Sequence, residues 1–358
     1  MSSWTHTPSG KTRARGAGIP FQGKPGLNNA ITDVEGVQVG YTTLIEGESI
    51  RTGVTGILPR PKSILATPVF AGSHSLNGNG ELTGTIWMEE AGQCNGPITI
   101  TNTHSCGIAR DASIKWLTKN VQDINLWSLP VAGETYDGQL NDINGFHIKE
   151  EHVFNSLDKA CGGPIDEGSV GGGTGMICYD YKGGSGTSSR RVQAGGTEIT
   201  IGAFVQANFG LRHQLTIAGV PVGRSLGEES IENERGSIIG IIATDAPLLP
   251  HQLKRLARRV SLGVGRSGAI SGHGSGDIFM AFSTANAEAF NSKNKLSSAS
   301  FVPDERLDKI FEAVIQSIDE AILNALFANE TMRGINGRIV EALPHGKVLK
   351  ILQDQNRG

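Results

Sequence analysis

Glycine accounts for 49 of the 358 residues of this chain, about twice the usual share of this residue type. The glycines are spread along the chain without a three-residue period, which excludes collagen. Apolar runs lie between them, which argues against a disordered tract. Because glycine supplies the backbone conformations of tight turns, glycines between short β-forming runs predict an α/β or α+β protein with abundant sheet.

Charge and apolar content exclude several classes of partner. The formal net charge is −3 and the isoelectric point is about 6.3, so neither nucleic acid nor an anionic membrane is an expected partner. No apolar stretch is long enough to span a bilayer, and residues 1–18 lack the apolar segment of a secretory signal. The four cysteines are too sparse for a disulfide scaffold and lack C-x-x-C spacing. Together these features predict a cytoplasmic protein with reduced thiols.

Hydrophobic periodicity predicts short strands through the first three quarters of the chain and two clear helices further on. A 3.6-residue period predicts one helix over 250–264, and a second one beginning with Asp304 as N-cap. No internal repeat or linker is visible, so residues 1–358 are expected to form a single domain. The predicted strands are 37–44, 53–58, 67–71, 83–88, 97–101, 198–206, 214–220, 237–243 and 277–283.

Two common kinds of site have little support in this sequence. The nine histidines show no H-E-x-x-H motif and no paired spacing with carboxylates or cysteines, so no metal site is expected. Residues 223–227 formally match G-x-S-x-G around Ser225. The nucleophile elbow needs a buried helix after the serine, and the mostly acidic and polar residues 228–235 are poor for one.

The segment 271–282 is the most informative for chemistry. Glycines on both sides of Ser275 leave the Gly274 carbonyl open to attack, and an apolar strand follows. The Ser275 hydroxyl could attack the preceding peptide bond, and hydrolysis of the resulting ester would free Ser275 as a new N-terminus. Its α-amine, with an unperturbed pKa near 8, could then act as the base for its own hydroxyl. From the residues alone, an ordinary turn is the more common interpretation of Gly-Ser-Gly.

Several motifs in one order resemble a known family. The chain resembles the self-processing aminopeptidases of the L-aminopeptidase/D-esterase and β-peptidyl aminopeptidase type over residues 19–338. The matching segments are 27–34 (LNNAITDV), 130–138 (PVAGETYDG), 169–176 (SVGGGTGM), 205–210 (VQANFG), 243–253 (ATDAPLLPHQL) and 274–278 (GSGDI).

This resemblance implies a fold, an activity and an assembly. The fold is a four-layer αββα sandwich of the α+β class, cleaved between Gly274 and Ser275 into chains 1–274 and 275–358 that stay associated. The activity is release of the N-terminal amino acid from short peptides, amides or esters without a cofactor. The expected assembly is a homotetramer of processed units. Two alternatives are an acyltransferase of the same architecture, which would have threonine at the cleavage point, and a non-catalytic glycine-rich binding protein.

The resemblance also implies roles for individual residues. Ser275 matches the nucleophile and Asn208 the oxyanion donor. Glu134 matches a substrate-ammonium ligand, and Tyr136 a residue that assists the oxyanion or a proton transfer. Ser317 and a following carboxylate, Asp319 or Glu320 (with Glu320 preferred), resemble a serine and a glutamate near the nucleophile. The helical period alone also allows Ser317 to be a buried serine bonded to a carbonyl one turn earlier.

Two departures from the family pattern concern the surroundings of the nucleophile. Many members are expected to have asparagine two residues before the nucleophile, where this chain has His273. Residues 226–235 look like an insertion between the asparagine and nucleophile motifs. Both departures bear on substrate preference and on processing more than on the type of reaction.

Overall fold

Two β-sheets packed face to face form the centre of the molecule, and helices cover their outer faces. The computed structural model describes residues 2–121, 126–194, 196–227, 236–291 and 293–355. None of the described helices is both long and apolar enough to cross a membrane.

The first sheet has four strands in the order β1-β2-β5-β6. Its strands pair antiparallel except for β5 and β6, which are parallel. Helices α2 (Cys106–Asn120) and α3 (Glu150–Asp158) pack on its outer face. The strands are β1 (Gln38–Glu46), β2 (Ile50–Leu58), β5 (Ile98–Asn102) and β6 (Val131–Thr135).

The second sheet has six strands in the order β4-β3-β12-β11-β10-β9. Only β11 and β12 are parallel neighbours. Helices α4 (Pro250–Arg266) and α5 (Asp308–Phe327) pack on its outer face. The strands are β3 (Val69–Gly78), β4 (Gln93–Cys94), β9 (Gly184–Ala194), β10 (Thr197–Asn208), β11 (Ser237–Thr244) and β12 (Gly276–Ser283).

Shorter elements complete the described structure. Helix α1 (Thr85–Ala91) follows β3, and α6 (His345–Gln355) ends the described chain. The remaining strands form two small hairpins: β7 (Ile177–Cys178) with β8 (Tyr181–Lys182), and β13 (Met332–Arg333) with β14 (Ile339–Val340).

The apolar core has three layers that follow from the alternation of side chains along each strand. On β12, Ile278 and Met280 face the first sheet, whereas Phe279 and Ala281 face α4 and α5. A third cluster, which includes Trp116, fills the space between the first sheet and its helices. This helix–sheet–sheet–helix order confirms the predicted αββα sandwich.

Most of the predicted elements are present, and two predicted strands are wrong. The helices begin at Pro250 and, after a 3-10 turn at Asp304–Arg306, at Asp308. Residues 83–88 instead contribute to α1, which lies between two glycines in the left-handed conformation, Gly84 and Gly92. Residues 214–220 form a 3-10 turn and an isolated bridge. In both short segments, hydrophobic alternation does not distinguish a strand from a turn of helix.

The sheet topology brings distant parts of the sequence to one edge. The first residue of β12, Gly276, pairs with Ser237 at the start of β11 and with Gly78 at the end of β3. Ser237 in turn pairs with Asn208, the last residue of β10. The start of β12, which follows Ser275 directly, therefore lies between the start of β11 and the end of β3, and the end of β10 is one strand further away.

Candidate active site

The segment before β12 is a tight turn that ends in a buried serine. The Ser275 amide donates to the Gly272 carbonyl at 2.9 Å, and the Ser275 side chain is fully buried. The left-handed residue of this turn is Ser271, with φ of +57°. Gly276 is required for a different reason, because a Cβ there would clash with the carbonyl oxygen of Asn79.

Two asparagines from the end of β3 hold this turn. The Asn77 amide nitrogen donates to the carbonyls of Gly272 and His273, each at 3.1 Å, and to the carbonyl of Ser275. The Asn79 amide nitrogen donates to the Gly274 carbonyl at 2.8 Å. Sequence reasoning missed both residues, and its only signal was the Asn-Gly-Asn-Gly run at 77–80.

The hydroxyl of Ser275 has a carboxylate partner within its own strand. Ser275 Oγ donates to Oδ1 of Asp277 at 2.6 Å. The two side chains lie on the same side of the chain because they are two residues apart in an extended segment. Burial raises the pKa of Asp277, and the hydrogen bond from Ser275, together with the nearby Ser271 hydroxyl and Ile238 amide, opposes that rise.

Asn208 is held at the end of β10 by contacts on both sides of its amide group. Its nitrogen donates to the Tyr136 carbonyl at 2.9 Å, and its oxygen accepts from the Ile177 amide at 2.8 Å. An amide nitrogen carries two hydrogens, so one remains for another acceptor. Asn208 and Gly276 are separated by one strand in the sheet register, which is about 10 Å.

Glu134 lies on β6 of the first sheet and points towards the start of β12. Its Oε1 accepts from the Glu81 amide at 2.9 Å. A Cβ built on Gly80 would lie 3.0 Å from Oε1 of Glu134 and 3.4 Å from Cα of Gly276. Within the described part of the chain Glu134 forms no salt bridge, and its side chain is almost fully buried. Burial raises the pKa of Glu134, whereas Thr103 and the Glu81 amide act in the opposite direction by stabilising the ionised carboxylate.

Tyr136 reaches the site through its backbone and is more exposed than the other residues. Its carbonyl fixes Asn208, whereas its ring is 38% exposed. The hydroxyl lies over Gly138, where a Cβ would clash with it. The structure therefore places Tyr136 beside Asn208, with its ring lying over the following turn.

The structure does not bring Ser317 to Ser275. The Ser317 carbonyl accepts a hydrogen bond from the Ser188 hydroxyl at 2.6 Å, which places Ser317 over the middle of β9. The sheet register puts Ser188 level with Ala281, six residues along β12 from Ser275 and three strands away. That offset amounts to about 24 Å at ordinary strand spacings. The expected proximity of Ser317 to the nucleophile is therefore wrong for this structure.

Glu320 lies on the same helix and belongs to a buried ion-pair network. Its two carboxylate oxygens accept from Arg15 at 2.6 and 2.8 Å, and Arg190 lies 2.7 Å away. The Asn29 amide donates to it at 2.6 Å. Burial alone would raise the pKa of Glu320, but the charges of both arginines and the hydrogen bonds hold it below its usual range. This carboxylate joins the N-terminal segment to β9 and does not contact Ser275.

Asp319 points to a different place from Glu320. Its carboxylate lies 3.2 Å from Nε of Arg266, and burial raises its pKa to about 6. Asp319 and Arg266 line a cavity of about 280 Å³ next to the N-terminal segment. Neither of the two carboxylates considered from the sequence therefore lies at the nucleophile.

We expect Glu320→Gln to lower the free energy of unfolding by about 3–5 kcal/mol, because it leaves the buried Arg190 without its charged partner. The matched change Asp319→Asn removes a pair with a half-exposed arginine and should cost less than about 1 kcal/mol. Urea-induced unfolding followed by circular dichroism measures both values. Equal values for the two variants would contradict a structural role for Glu320.

A large cavity opens beside the start of β12. It has a volume of about 1260 Å³, and Gly80 and Ile278 connect it to the segment around Ser275. Its lining includes the acidic side chains of Glu81, Glu89 and Glu90 and the basic side chains of Lys254 and Arg258, and Lys254 pairs with Glu89. This cavity is large enough to receive a short peptide.

Two other sequence candidates lie outside this arrangement. Ser225 ends a 3-10 turn, is exposed, and has no strand before it, so the nucleophile-elbow geometry is absent there. Residues 228–235 of the predicted insertion lie outside the described residues. In the described part of the chain, no three His, Cys, Asp or Glu side chains are grouped as metal ligands.

Comparison with known proteins decides the family. The sequence profile of Peptidase family S58 matches residues 29–340. The chain belongs to Peptidase family S58. This membership confirms the resemblance and decides against a non-catalytic binding protein.

Relatives within the S58 family are similar over nearly the whole chain. The beta-peptidyl aminopeptidase BapA of Sphingosinicella microcystinivorans is 49% identical, with 96% of this chain and 93% of that protein covered. The L-aminopeptidase D-Ala-esterase/amidase of Ochrobactrum anthropi, a prototype of the serine aminopeptidases with a variant of the Ntn hydrolase fold, superimposes with a TM-score of 0.92. It is 48% identical, covering 96% of this chain and 99% of that one. The Burkholderia sp. beta-aminopeptidase gives a TM-score of 0.88 at 46% identity, covering 96% and 99%.

This member of family S58 is therefore a hydrolase, and it has the variant of the Ntn hydrolase fold named above. The strand ends bring together the residues of the candidate site: Ser275, Asp277, Asn77, Asn79, Glu134 and Asn208.

Proposed function

We propose that this protein cleaves itself between Gly274 and Ser275 and then acts as an aminopeptidase through the new N-terminal serine. The observation that carries the proposal is the position of Ser275. It is buried at the start of β12, in a turn that opposes the buried carboxylate of Glu134. The single catalytic domain 1–358 would then consist of chains 1–274 and 275–358.

Ser275 and Asn208 carry the steps of this reaction. The Ser275 hydroxyl attacks the carbonyl of the first residue of the substrate, and its own α-amine takes the proton. The free N–H of Asn208 donates to the oxyanion, a kind of contact that contributes about 3–4 kcal/mol elsewhere. The acyl-enzyme is hydrolysed by water, and the amino acid leaves. No cofactor takes part in these steps.

Glu134 supplies the preference for a free amino terminus. A buried carboxylate without a cationic partner is costly, and a substrate ammonium would provide that partner. Tyr136, which contacts Asn208 through its carbonyl, keeps the oxyanion donor in place. The relatives named for beta-peptidyl and for L-amino-acid and D-alanine substrates support short peptides, amides and esters of α- or β-amino acids as substrates.

We also propose a cytoplasmic homotetramer of processed units. An exposed apolar patch supports association: Ile86 is 88% exposed and Trp127 is 58% exposed, and the rings of Trp87 and Trp127 pack edge to face at 5.6 Å. Patches of this kind commonly mark protein–protein contacts.

Mass spectrometry of the purified protein tests cleavage and assembly together. Under denaturing conditions we expect chains of about 29 and about 9 kDa, in proportion to 274 and 84 of the 358 residues and the total of 37.8 kDa. The smaller chain should begin at Ser275. Under native conditions we expect about four times 37.8 kDa. A single stable chain of full length would contradict the proposal.

A further inference from the structure

Two side chains that the aminopeptidase steps above do not use contact the residues joined by the peptide bond between Gly274 and Ser275. Asp277 accepts the hydrogen bond of the Ser275 hydroxyl at 2.6 Å. Asn79 donates to the Gly274 carbonyl at 2.8 Å. One contact is to the atom that attacks during self-cleavage, and the other is to the oxygen that gains negative charge.

We propose that Asp277 and Asn79 are the catalytic residues of self-cleavage, with Asp277 as the proton acceptor and Asn79 as the oxyanion donor. This inference rests on the proposed function. It assigns self-cleavage to residues other than Asn208 and Glu134, which we assign to the reaction with the substrate.

The proton and bond changes follow from these contacts. Asp277 takes the hydroxyl proton while Ser275 Oγ bonds to the Gly274 carbonyl carbon, and the resulting oxyanion is stabilised by the Asn79 amide. The bond from that carbon to the Ser275 nitrogen then breaks, and Asp277 returns the proton to the leaving nitrogen. An ester between Gly274 and Ser275 Oγ remains. One water molecule hydrolyses it to the Gly274 carboxylate and the free Ser275 hydroxyl.

The surroundings of Asp277 suit a base that must act before the α-amine exists. In the uncleaved chain the Ser275 nitrogen is an amide that donates to Gly272, so it cannot accept the hydroxyl proton. Burial raises the pKa of Asp277, and a higher pKa makes the ionised carboxylate a better proton acceptor.

The groups that face Asp277 are mostly uncharged. They are the hydroxyls of Ser271 and Ser275 on the turn and the Ile238 amide on β11. In the sheet register, Asn77 on β3 lies opposite Asp277. The titratable group nearest to it along the turn is His273. Among the described residues Asp277 forms no salt bridge, so no ion pair with a cation opposes its protonation.

Asn79 and Asn77 have separate tasks in this arrangement. Asn77 contacts the carbonyls of Gly272, His273 and Ser275, so it holds the turn without touching the bond that breaks. Asn79 alone contacts the Gly274 oxygen among the described side chains. An isosteric change of Asn79 therefore removes the donor at the reacting carbonyl and leaves the clamp in place.

The test follows self-cleavage of newly synthesised full-length chain on denaturing gels. We expect Asp277→Asn to slow cleavage at least about 100-fold, as for loss of a general base. Asn79→Asp, which removes the donor, should slow it by a similar factor. Asp111→Asn, which changes an exposed carboxylate paired with Arg110, is the control and should leave the rate unchanged. The wild-type rate should rise with pH through the raised pKa of Asp277, because only the ionised carboxylate accepts a proton, and Asp277→Asn should abolish that dependence.

A nucleophile exchange distinguishes catalysis from folding. A thiol ionises near pH 8.5 without help, so Asp277→Asn should cost less than about tenfold in a Ser275→Cys background. An equal loss in both backgrounds would show a structural role and overturn the inference. If the wild-type chain cleaves itself and the Asp277→Asn chain does so at the same rate, the inference is overturned and the proposed function stands. Failure of the wild-type chain to cleave at all would instead overturn the proposed function.

Discussion

Ser275→Ala is expected to leave a single chain of 37.8 kDa and to abolish aminopeptidase activity. The alanine has no hydroxyl to attack the Gly274 carbonyl, and without cleavage no α-amine forms at residue 275. Removing the serine nucleophile of another peptidase lowers turnover by about 10⁶-fold, so we expect a loss of at least about 10⁴-fold. Denaturing mass spectrometry and hydrolysis of an amino-acid amide measure the two effects.

Ser225→Ala is the matched control for this experiment. Ser225 lies in the formal G-x-S-x-G motif but is exposed and ends a 3-10 turn. The Ser225→Ala protein should be cleaved and active like wild type. Cleavage that persists in the Ser275→Ala chain, or loss of activity in the Ser225→Ala chain, would place the nucleophile elsewhere.

Glu134→Gln is expected to lower kcat/KM for substrates with a free amino terminus by about 100-fold or more. Removing one partner of a buried charge pair at an interface costs about 2–5 kcal/mol, and each 1.4 kcal/mol corresponds to about tenfold. The glutamine has nearly the same shape and can still accept the hydrogen bond of the Glu81 amide. The expected loss therefore arises from the charge. Steady-state kinetics with an amino-acid amide measures it.

Two controls isolate the ammonium contact. Wild-type and Glu134→Gln proteins should hydrolyse the corresponding amide without its amino group at similar, low rates. Glu81→Gln changes an exposed carboxylate that follows Gly80 in the chain and lines the large cavity beside the start of β12, and it should alter kcat/KM less than about threefold. A Glu81→Gln loss as large as that of Glu134→Gln would indicate general electrostatic attraction instead of a specific ligand.

The hydrophobic pattern of the sequence predicted correctly those elements that are buried on one face only. It failed for segments whose burial depends on packing against distant parts of the chain. The apolar periodicity of 250–264 matches α4 because one face of that helix is buried against β3 and α5. Strand β9 was not predicted because most of its residues are glycine, serine, threonine and arginine. It is buried all the same, since α5 covers it and Glu320 pairs with Arg190.

The residues of the candidate site also fall into two groups, those that the sequence indicated and those that only the structure showed. Ser275, Asn208, Glu134 and Tyr136 were named through the motifs that resemble the family, and their roles remain predictions. Asn77, Asn79 and Asp277 were not named, because asparagine and aspartate near glycines are also typical of ordinary turns. Their contacts with the turn before β12 exist only once β3 and β12 pair.

The amino-acid sequence by itself determined the fold class, the family and the serine at the proposed cleavage point, because these depend on local composition and on motifs in a set order. The tertiary structure alone decided which side chains reach that serine. It placed Asp277 next to the Ser275 hydroxyl and Asn79 next to the Gly274 carbonyl. It placed Ser317 and Glu320 over a distant part of the second sheet. The physical reason is that sheet register and helix packing are set by contacts between residues distant in sequence, which local patterns do not record.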